Sequence, residues 1–432
     1  MRGLRSFLGL FAILVALGAY LYFVESKRTP GAPAEKRDKV FAVEADQIEE
    51  LTIRSESGDR TTLRRAGGAW QIVEPLTAEA DETEAAGIAR GLSTLEQERI
   101  IEEEPSSLEE FGLAEPRIEI AFKAAGTEHR LLIGSKTPTG GDLYAKTDDS
   151  PRVFLVASWH ESTFDRGTFE LRDKTALKFD RDAADSLEIV TGGRTIRFAK
   201  ANGEWQIAQP PVSRPDAPAI EGLLARLRNL QMKKVVTPEQ AAKHGLDSPA
   251  ATVHIGSGSS RATLLVGAEA GEGEVYARDA ARPAIFTIEA SLLDDLKRDA
   301  AEYRQKDIFD ARVFNTTRVE VARAGQTLVF EKTDGTWRQT APEAKEADGS
   351  KIDALLSALT IARAESFVER QPQGAATEAS VALKFDDGRK EERVTFFRSG
   401  GDAYAVRSDA QGAARIEASV LDGILKALDE VR

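Results

Sequence analysis

The sequence predicts an α+β protein: an N-terminal transmembrane helix followed by three tandem repeat domains, each an antiparallel sheet with helices packed on one side. Three observations lead to this fold class. An uncharged apolar run opens the chain, aromatic motifs recur at a domain-sized period, and each period combines strand-like alternation with helix-like spacing. The length of 432 residues agrees, because domains average about 150 residues.

The first element is the apolar run from Phe7 to Val24, which contains no charged residue. Its length is close to the minimum that spans a hydrocarbon core of about 30 Å. A cleaved signal peptide is the competing interpretation, but it has a shorter apolar region followed by a small-x-small site. Here the apolar run continues through residues 21–24 and meets Glu25, with no Ala-x-Ala. We therefore expect residues 1–25 to be an uncleaved signal anchor in the lipid bilayer.

Charges around this run indicate its orientation. The N-terminal tail carries Arg2 and Arg5, and short basic tails usually stay in the cytoplasm. We expect a single-pass protein of the bacterial inner (cytoplasmic) membrane, with a cytoplasmic N-terminus and the bulk of the chain in the periplasm. Residues 26–38 contain Pro30 and Gly31 and show no apolar periodicity, which is typical of an extended linker.

Rare residues reveal an internal repeat. The pattern G-x-W-x-x-x-x-P recurs around Trp70, Trp205 and Trp337, and the pattern G-[D/E]-x-Y-A recurs around Tyr144, Tyr276 and Tyr404. Both patterns share a period of roughly 130 residues, which is the size of a domain and predicts tandem domains rather than a short-repeat solenoid. We place the repeat domains at 39–172, 173–305 and 306–432.

A third motif occurs in two of the repeats only. It reads aromatic-Gly-Leu-x-x-Pro and begins at Phe111 and at His244. The third repeat has Gly374-Ala375 in this place and Ala379 where the proline would stand. Terminal repeats often depart from the shared pattern.

The secondary structure of one repeat is predicted from changes in the spacing of its apolar residues. Two short strands, Ile48–Arg54 and Thr61–Arg65, precede a hairpin turn and the tryptophan strand. The turn dipeptides favour φ > 0; they are Gly67-Gly68, Asn202-Gly203 and Asp334-Gly335. Four further strands are predicted, at Ile118–Phe122, Arg130–Ile133, Leu143–Lys146 and Val153–Val156.

An amphipathic helix is predicted between the two groups of strands, because apolar residues recur there at i, i+3, i+4 and i+7. These positions are Ile88, Leu92 and Leu95 in the first repeat, Ile220, Leu223, Leu224, Leu227 and Leu230 in the second, and Ile352, Leu355, Leu356 and Leu359 in the third. A closing helix, with Phe164 and Leu171 in the first repeat, ends the unit. We expect the tryptophans and tyrosines to pack beneath these helices.

Composition excludes several function classes. The chain has 58 basic and 71 acidic residues, a net charge of −13; residues 1–37 carry +4, which leaves −17 on residues 38–432. No basic face is evident, so we expect no nucleic-acid partner. The absence of cysteine excludes disulfides, thiolate metal sites and cysteine nucleophiles.

The remaining residues suggest no catalytic site, no metal site and no cofactor. The four histidines are His129, His160, His244 and His254, and none has a second histidine at ligand spacing. The acidic group Asp180, Asp182 and Asp185 lacks the glycine and distal glutamate of a calcium loop, so a solvated turn is expected. Gly256–Ser260 is interpreted as a hairpin turn rather than a phosphate loop. Two carboxylates would suffice for a glycosidase, and the sequence does not locate such a pair.

The combined motifs resemble a bacterial family, the domain of unknown function DUF4340. The resemblance rests on the anchor, G-x-W-x-x-x-x-P, aromatic-Gly-Leu-x-x-Pro, a strand ending in Ile133-Gly134 or Val266-Gly267, the tyrosine strand and Leu171–Lys174. Members of this family resemble envelope proteins that are often encoded beside the permease and substrate-binding components of gliding-type ABC transporters, so the resemblance implies partnership with a transporter. No catalytic residues are established for the family, so none is carried over.

The leading hypothesis is therefore a membrane-anchored, extracytoplasmic, non-enzymatic repeat protein. It would act as a scaffold or accessory subunit of a membrane complex, such as an ABC transporter. One alternative is a cell-envelope glycan or peptidoglycan binder that uses exposed aromatic side chains. A second alternative is a cryptic hydrolase that depends on two carboxylates.

Overall fold

The computed structural model describes residues 37–209, 213–236, 244–371 and 374–432. The predicted anchor at residues 1–25 lies outside the described residues. None of the described helices is long and apolar enough to cross a membrane. The chain divides into two compact units, one ending at Lys174 and one beginning at Thr175.

The first unit contains one nine-stranded sheet. Its strands are β1 (Ile48–Arg54), β2 (Arg60–Ala66), β3 (Ala69–Glu74), β4 (Ala78–Glu79), β5 (Arg99–Glu102), β6 (Ile118–Ala124), β7 (Thr127–Lys136), β8 (Asp142–Thr147) and β9 (Val153–Ala157). Its helices are α1 (Glu82–Ser93), α2 (His160–Phe164) and α3 (Thr168–Leu171).

The second unit contains two sheets, and the eight-stranded one comes first. Its strands are β10 (Ser186–Thr191), β11 (Arg194–Ala201), β12 (Glu204–Gln209), β13 (Lys234–Val236), β14 (Ala251–Ser257), β15 (Ser260–Gly271), β16 (Glu274–Asp279) and β17 (Ile285–Glu289). Its helices are α4 (Ala217–Arg228) and α5 (Ser291–Leu296).

The other sheet of the second unit has nine strands. They are β18 (Thr316–Arg323), β19 (Gln326–Thr333), β20 (Thr336–Ala341), β21 (Lys345–Glu346), β22 (Ala364–Val368), β23 (Ala376–Phe385), β24 (Lys390–Ser399), β25 (Asp402–Arg407) and β26 (Ala413–Ile416). The accompanying helices are α6 (Gly349–Thr360) and α7 (Ala418–Glu430).

All three sheets share one topology. In the first, the strand order is β4-β3-β2-β1-β6-β7-β8-β9-β5, and the other two repeat this order, except that in the second an isolated bridge between Ile207 and Ser213 takes the place of β4. Two antiparallel meanders meet where β1 pairs with β6, as β10 does with β14 and β18 with β23. The long helix connects the meanders. The predicted α+β class with three antiparallel sheets is thus confirmed.

The tight turns before the tryptophan strands are as predicted. Asn202 and Gly203 have φ of 54° and 83°, and Asp334 and Gly335 have 50° and 80°. Both central residues lie in the left-handed region, as a type I′ hairpin requires. Local sequence therefore sets the register of this hairpin in each repeat.

The long helices begin at aspartates and bury one face. The side chain of Asp81 accepts from the backbone N–H groups of Thr83 and Glu84, and Asp216 and Asp348 cap α4 and α6 in the same way. The predicted apolar positions are buried, although Leu95 and Leu230 lie just beyond the helix ends.

Two expectations about short elements need correction. The closing helix of the first repeat is two helices, α2 and α3, separated at residues 165–167. Asp165 and Gly167 have ψ of 85° and 176°, both outside the helical region, so the helix is interrupted between them. The edge strands β4, β5, β13, β21 and β22 were not predicted, because such short strands show too little alternation.

The aromatic-Gly-Leu segment packs against a glycine in the neighbouring strand. A Cβ on Gly134 would lie 2.2 Å from the Phe111 carbonyl oxygen, and one on Gly267 would lie 2.1 Å from that of His244. Next to Gly267, the Ala268 N–H donates to the His244 carbonyl at 2.8 Å. Backbone therefore meets backbone without room for a side chain.

The third repeat replaces this glycine with Phe397. Ile133 pairs with Ala145 and Phe396 pairs with Ala405, so Gly134 and Phe397 hold equivalent places. The first two repeats have a register shift after this point, whereas β24 and β25 pair without one. Phe397 is buried, at 8% exposure. The side chain of Phe397 thus occupies the place where the other two repeats pack the aromatic-Gly-Leu segment.

We expect Gly267→Ala to lower the free energy of unfolding by about 1–3 kcal/mol, because its methyl group would collide with the His244 carbonyl. Gly222→Ala is the matched control: this helical glycine has open space around its Cβ position, and the change should add up to about 1 kcal/mol. Urea denaturation followed by tryptophan fluorescence measures both. Equal midpoints for the two variants would contradict the close approach.

Candidate functional site

The repeated tryptophans lie in the cores. Trp70, Trp205 and Trp337 are 1%, 5% and 3% exposed, which confirms the predicted core packing. In each hairpin the cross-strand neighbour of the tryptophan is a cation above the indole ring, at 5.1, 4.9 and 5.4 Å for Arg65, Lys200 and Lys332. Buried indoles cannot form a platform for a glycan, so these residues give no support to a glycan-binding role.

The polar edge of the indole is tied to the long helix in the second unit. Trp205 Nε1 donates to Glu221 of α4 at 2.7 Å, and Trp337 Nε1 donates to Asp353 of α6 at 3.3 Å. In the first unit, Trp70 Nε1 has no partner among the described residues. The tryptophan motif therefore joins hairpin to helix and serves the fold.

The tyrosines do not pack beneath the helices, contrary to expectation. Leu143 and Ala145 are buried on the helical side of the sheet, and side chains alternate between faces. Tyr144 therefore lies on the opposite face, where its ring centroid is 5.1 Å from that of Phe111. In the second repeat, Tyr276 and His244 make the same contact at 3.9 Å. The pairing thus brings two distant motifs into contact in the first two repeats.

The histidines are dispersed. His244 and His160 are buried, and their Nδ1 atoms have no hydrogen-bond partner among the described residues. His254 Nδ1 lies 2.9 Å from the Thr263 hydroxyl. Across the described residues, no group of three or more histidines and acids is arranged to hold a metal ion.

The acidic turn and the Gly/Ser segment are structural. Asp180 accepts from the backbone N–H groups of Asp182 and Ala183, and Asp185 accepts from that of Gly258 at 2.8 Å. This bond lowers the pKa of Asp185. Ser257 pairs with Ser260 across the β14–β15 hairpin, so the predicted hairpin turn is confirmed.

The candidate functional site is the junction between the second and third repeats, within the second unit. The chain leaves the second repeat through residues 303–305, which pair with residues 214–216: Asp216 N–H donates to the Tyr303 carbonyl at 2.7 Å and Gln305 N–H to that of Arg214 at 3.0 Å. Three arginines, Arg214, Arg304 and Arg407, line a small cavity at this point.

Arg214 reaches from the second repeat into the third. Its Nη2 donates to the Asp307 carbonyl at 3.0 Å and to the Asp310 carboxylate at 2.8 Å. Burial lowers the pKa of Arg214, and the nearby Arg407 cation acts in the same direction. The Asp310 contact compensates part of this cost, so the arginine is held at a defined place between the repeats.

Arg407 and Glu392 form the inner part of the junction. Arg407 donates to Glu392 at 2.8 Å, to the Ile308 carbonyl at 2.7 Å and, through two nitrogens, to Asp409. Glu392, only 4% exposed, also accepts from the N–H groups of Asp310 and Ala311. Burial disfavours the Arg407 cation, but the bonds to Asp409 and Glu392 outweigh it and raise its pKa.

Sequence reasoning did not find these arginines. Arg304 stands one repeat period after Arg172, in Tyr303-Arg304-Gln305-Lys306 against Leu171-Arg172-Asp173-Lys174. Both arginines are 8% exposed, and both form an isolated bridge with the residues before the long helix. The recurrence of an arginine two residues before a lysine, one repeat period apart, is the sequence signal by which Arg304 could have been found.

Glu392→Gln should lower the free energy of unfolding by about 3 kcal/mol, since it leaves the Arg407 cation with one fewer buried partner. Glu391→Gln is the control, because Glu391 forms surface pairs with Lys384 and Arg393 at 3.6 and 3.7 Å, each worth about 0–1 kcal/mol. Urea midpoints of the full chain report both changes. Similar losses in the two variants would show that the buried network contributes little.

His160 gives a pH dependence with a defined sign. Burial lowers its pKa from 6.5 to about 4, so its contribution to stability is complete above pH 6.5 and is lost as pH falls toward about 4. His160→Phe, which preserves the stack between Trp159 and Phe164, should remove this part of the slope, at most about 1.4 kcal/mol per pH unit. Parallel pH profiles for variant and wild type would refute the assignment.

Comparisons with known proteins identify the family. No match to a curated protein was found. Two crystal structures of the DNA polymerase sliding clamp from Pseudomonas aeruginosa, one with ligand, align over 86% of this chain and 91% of theirs, at 10% and 9% identity. Their TM-scores are 0.17 and 0.16, too low to carry an argument. The model of the domain of unknown function DUF4340 matches residues 70–215 and 205–384, more than half of the sequence, and the chain therefore belongs to the DUF4340 family.

Proposed function

We propose that this chain is a membrane-anchored, extracytoplasmic, non-enzymatic repeat protein that acts as a scaffold or accessory subunit of a membrane complex, such as an ABC transporter. The observation that carries the proposal is the junction within the second unit. There, two copies of one fold are joined by the half-buried Arg214, which donates to the Asp307 carbonyl and the Asp310 carboxylate of the next repeat. A scaffold needs binding surfaces at a fixed separation, and such a joint supplies it.

An arginine with two fixed acceptors suits this task, because its planar guanidinium specifies geometry as well as contributing energy. Arg214 accordingly restricts the relative position of the two repeats, since only one arrangement places it against both the Asp307 carbonyl and Asp310. The junction therefore favours one relative orientation of the second and third repeats over a range of others.

The sheets also present matching charged faces. On the side opposite the helices, Glu119 pairs with Arg54 and Arg130 at 3.2 and 2.6 Å. Glu320 pairs with Arg318 and Arg393 at 3.1 and 3.3 Å in the third repeat. Charged surfaces of this kind make binding selective for a partner of complementary charge and increase the association rate. Repeated copies multiply the contact area available to a protein partner.

The membrane part of the proposal rests on the sequence. The uncharged run from Phe7 to Val24 has the length and the flanking charges of a signal anchor. An extracytoplasmic location places the −17 charge of residues 38–432 outside the membrane. Family membership is consistent with an envelope role, and the transporter permease is the partner class we propose.

Extraction of the C-terminally tagged full chain in mild detergent tests the proposal. We expect a transporter permease to co-purify in fixed stoichiometry with wild type and with Arg194→Gln, which removes an exposed arginine of the same unit. Recovery should fall several-fold with Arg214→Gln, because a loosened junction misplaces the binding surfaces. A C-terminal phosphatase fusion, active only outside the cytoplasm, checks the topology. A solitary wild-type protein, or an inactive fusion, would overturn the proposal.

A further inference from the structure

Arg304 is a buried cation without an acidic partner among the described residues. It is 8% exposed, and its guanidinium carbon lies 3.8 Å from the centroid of the Phe367 ring. The hydrogen bond from its Nη2 to the Gln411 carbonyl is long, at 3.5 Å. Arginine carries five N–H donors, so most of them are unused by the described part of the chain. Burial accordingly lowers its pKa.

The other two arginines of the cavity differ in this respect. Arg214 pairs with Asp310 at 2.8 Å, and Arg407 pairs with Glu392 and Asp409 at 2.8 and 2.7 Å. The remaining acid of the junction, Asp307, is occupied by two further arginines, Arg312 and Arg363, at 3.0 and 3.1 Å. Five arginines thus face four carboxylates, and the unmatched positive charge belongs to Arg304.

The cavity beside Arg304 is small, and part of its lining consists of small residues. Its volume is about 30 Å³, and a water needs about 10–15 Å³ by the same measure, so it admits a group of two or three heavy atoms. Gly412 lines the cavity at a place with no room for a side chain: its φ is 81°, and a Cβ there would lie 2.1 Å from the Val368 carbonyl oxygen. Ala413 and Ala414 continue this lining.

We propose that Arg304, stacked on Phe367, binds a carboxylate group in this cavity. A carboxylate has the right size and matches the planar fork of the guanidinium through two parallel hydrogen bonds. A phosphate is too large for the space, and Asp307, the acid that lines the cavity, disfavours a doubly charged anion. The carboxylate comes either from a small free acid or from an acidic side chain of another polypeptide. The inference goes beyond the scaffold role and does not depend on it.

Ligand-observed NMR on the full chain tests the site, with ¹³C-acetate as the probe at constant ionic strength. We expect saturable line broadening with a dissociation constant on the order of 1–10 mM, weakened at least tenfold by Arg304→Gln. Arg194→Gln, which removes an exposed arginine elsewhere in the unit, is the control and should bind like wild type. Absence of saturable binding, or equal binding by Arg304→Gln, would overturn the proposal.

A capped Gly-Asp-Gly peptide, with capped Gly-Asn-Gly as its neutral control, distinguishes the two sources. Binding of the aspartyl peptide at least tenfold tighter than acetate identifies a polypeptide source, and equal affinity identifies a free acid. In acetate-free buffer, Arg304→Gln should unfold at a urea midpoint no lower than wild type, because it removes an uncompensated charge. If this variant fails to fold, Arg304→Lys decides: it keeps the charge without the fork and should bind acetate several-fold more weakly, and unchanged binding would count against the site.

Discussion

The repeats depend on hydrogen bonds that tie the ends of the long helix to the places where the chain enters and leaves. At the entry, backbone N–H groups donate to carbonyls just past the helix, at 2.8, 2.8 and 3.0 Å, from Val40 to Leu95, Ala176 to Leu230 and Ile308 to Ala362. At the exit of the first two repeats, the helix-capping residues Asp81 and Asp216 donate to the carbonyls of Leu171 and Tyr303. The helix therefore positions the sheet it covers and also the segment by which the chain leaves the repeat.

This arrangement explains why a charged junction occurs where it does. Because residues 303–305, by which the chain leaves the second repeat, are fixed beside residues 214–216, Arg214 and Arg304 are brought together although they lie far apart in the sequence. The third repeat then supplies one carboxylate, that of Asp310, for Arg214 and the aromatic ring of Phe367 for Arg304. Polar contacts here select one arrangement of the repeats, whereas the apolar cores supply most of the stability.

Local patterns predicted most of the fold. Turn dipeptides, helix periodicity and the tryptophan motif each act within a short stretch of chain, so their structures could be predicted from the sequence. The side of the sheet on which the tyrosines lie could not be predicted, because it depends on which side the helices cover. The junction was also missed, since Arg214 contacts Asp310 across a boundary between repeats. A repeated arginine is visible in the sequence, but its burial is a property of the assembled chain.

The exchange of Gly267 for Phe397 has an evolutionary consequence. A large side chain at the glycine would meet the backbone of the aromatic-Gly-Leu segment, and a glycine at Phe397 would leave a hole in a buried position. Neither change is tolerable until the segment is lost or gained with it. The two features are thus epistatic, and sequence drift that is neutral in one copy is harmful in another. Repeats that began as duplicates have in this way become non-interchangeable.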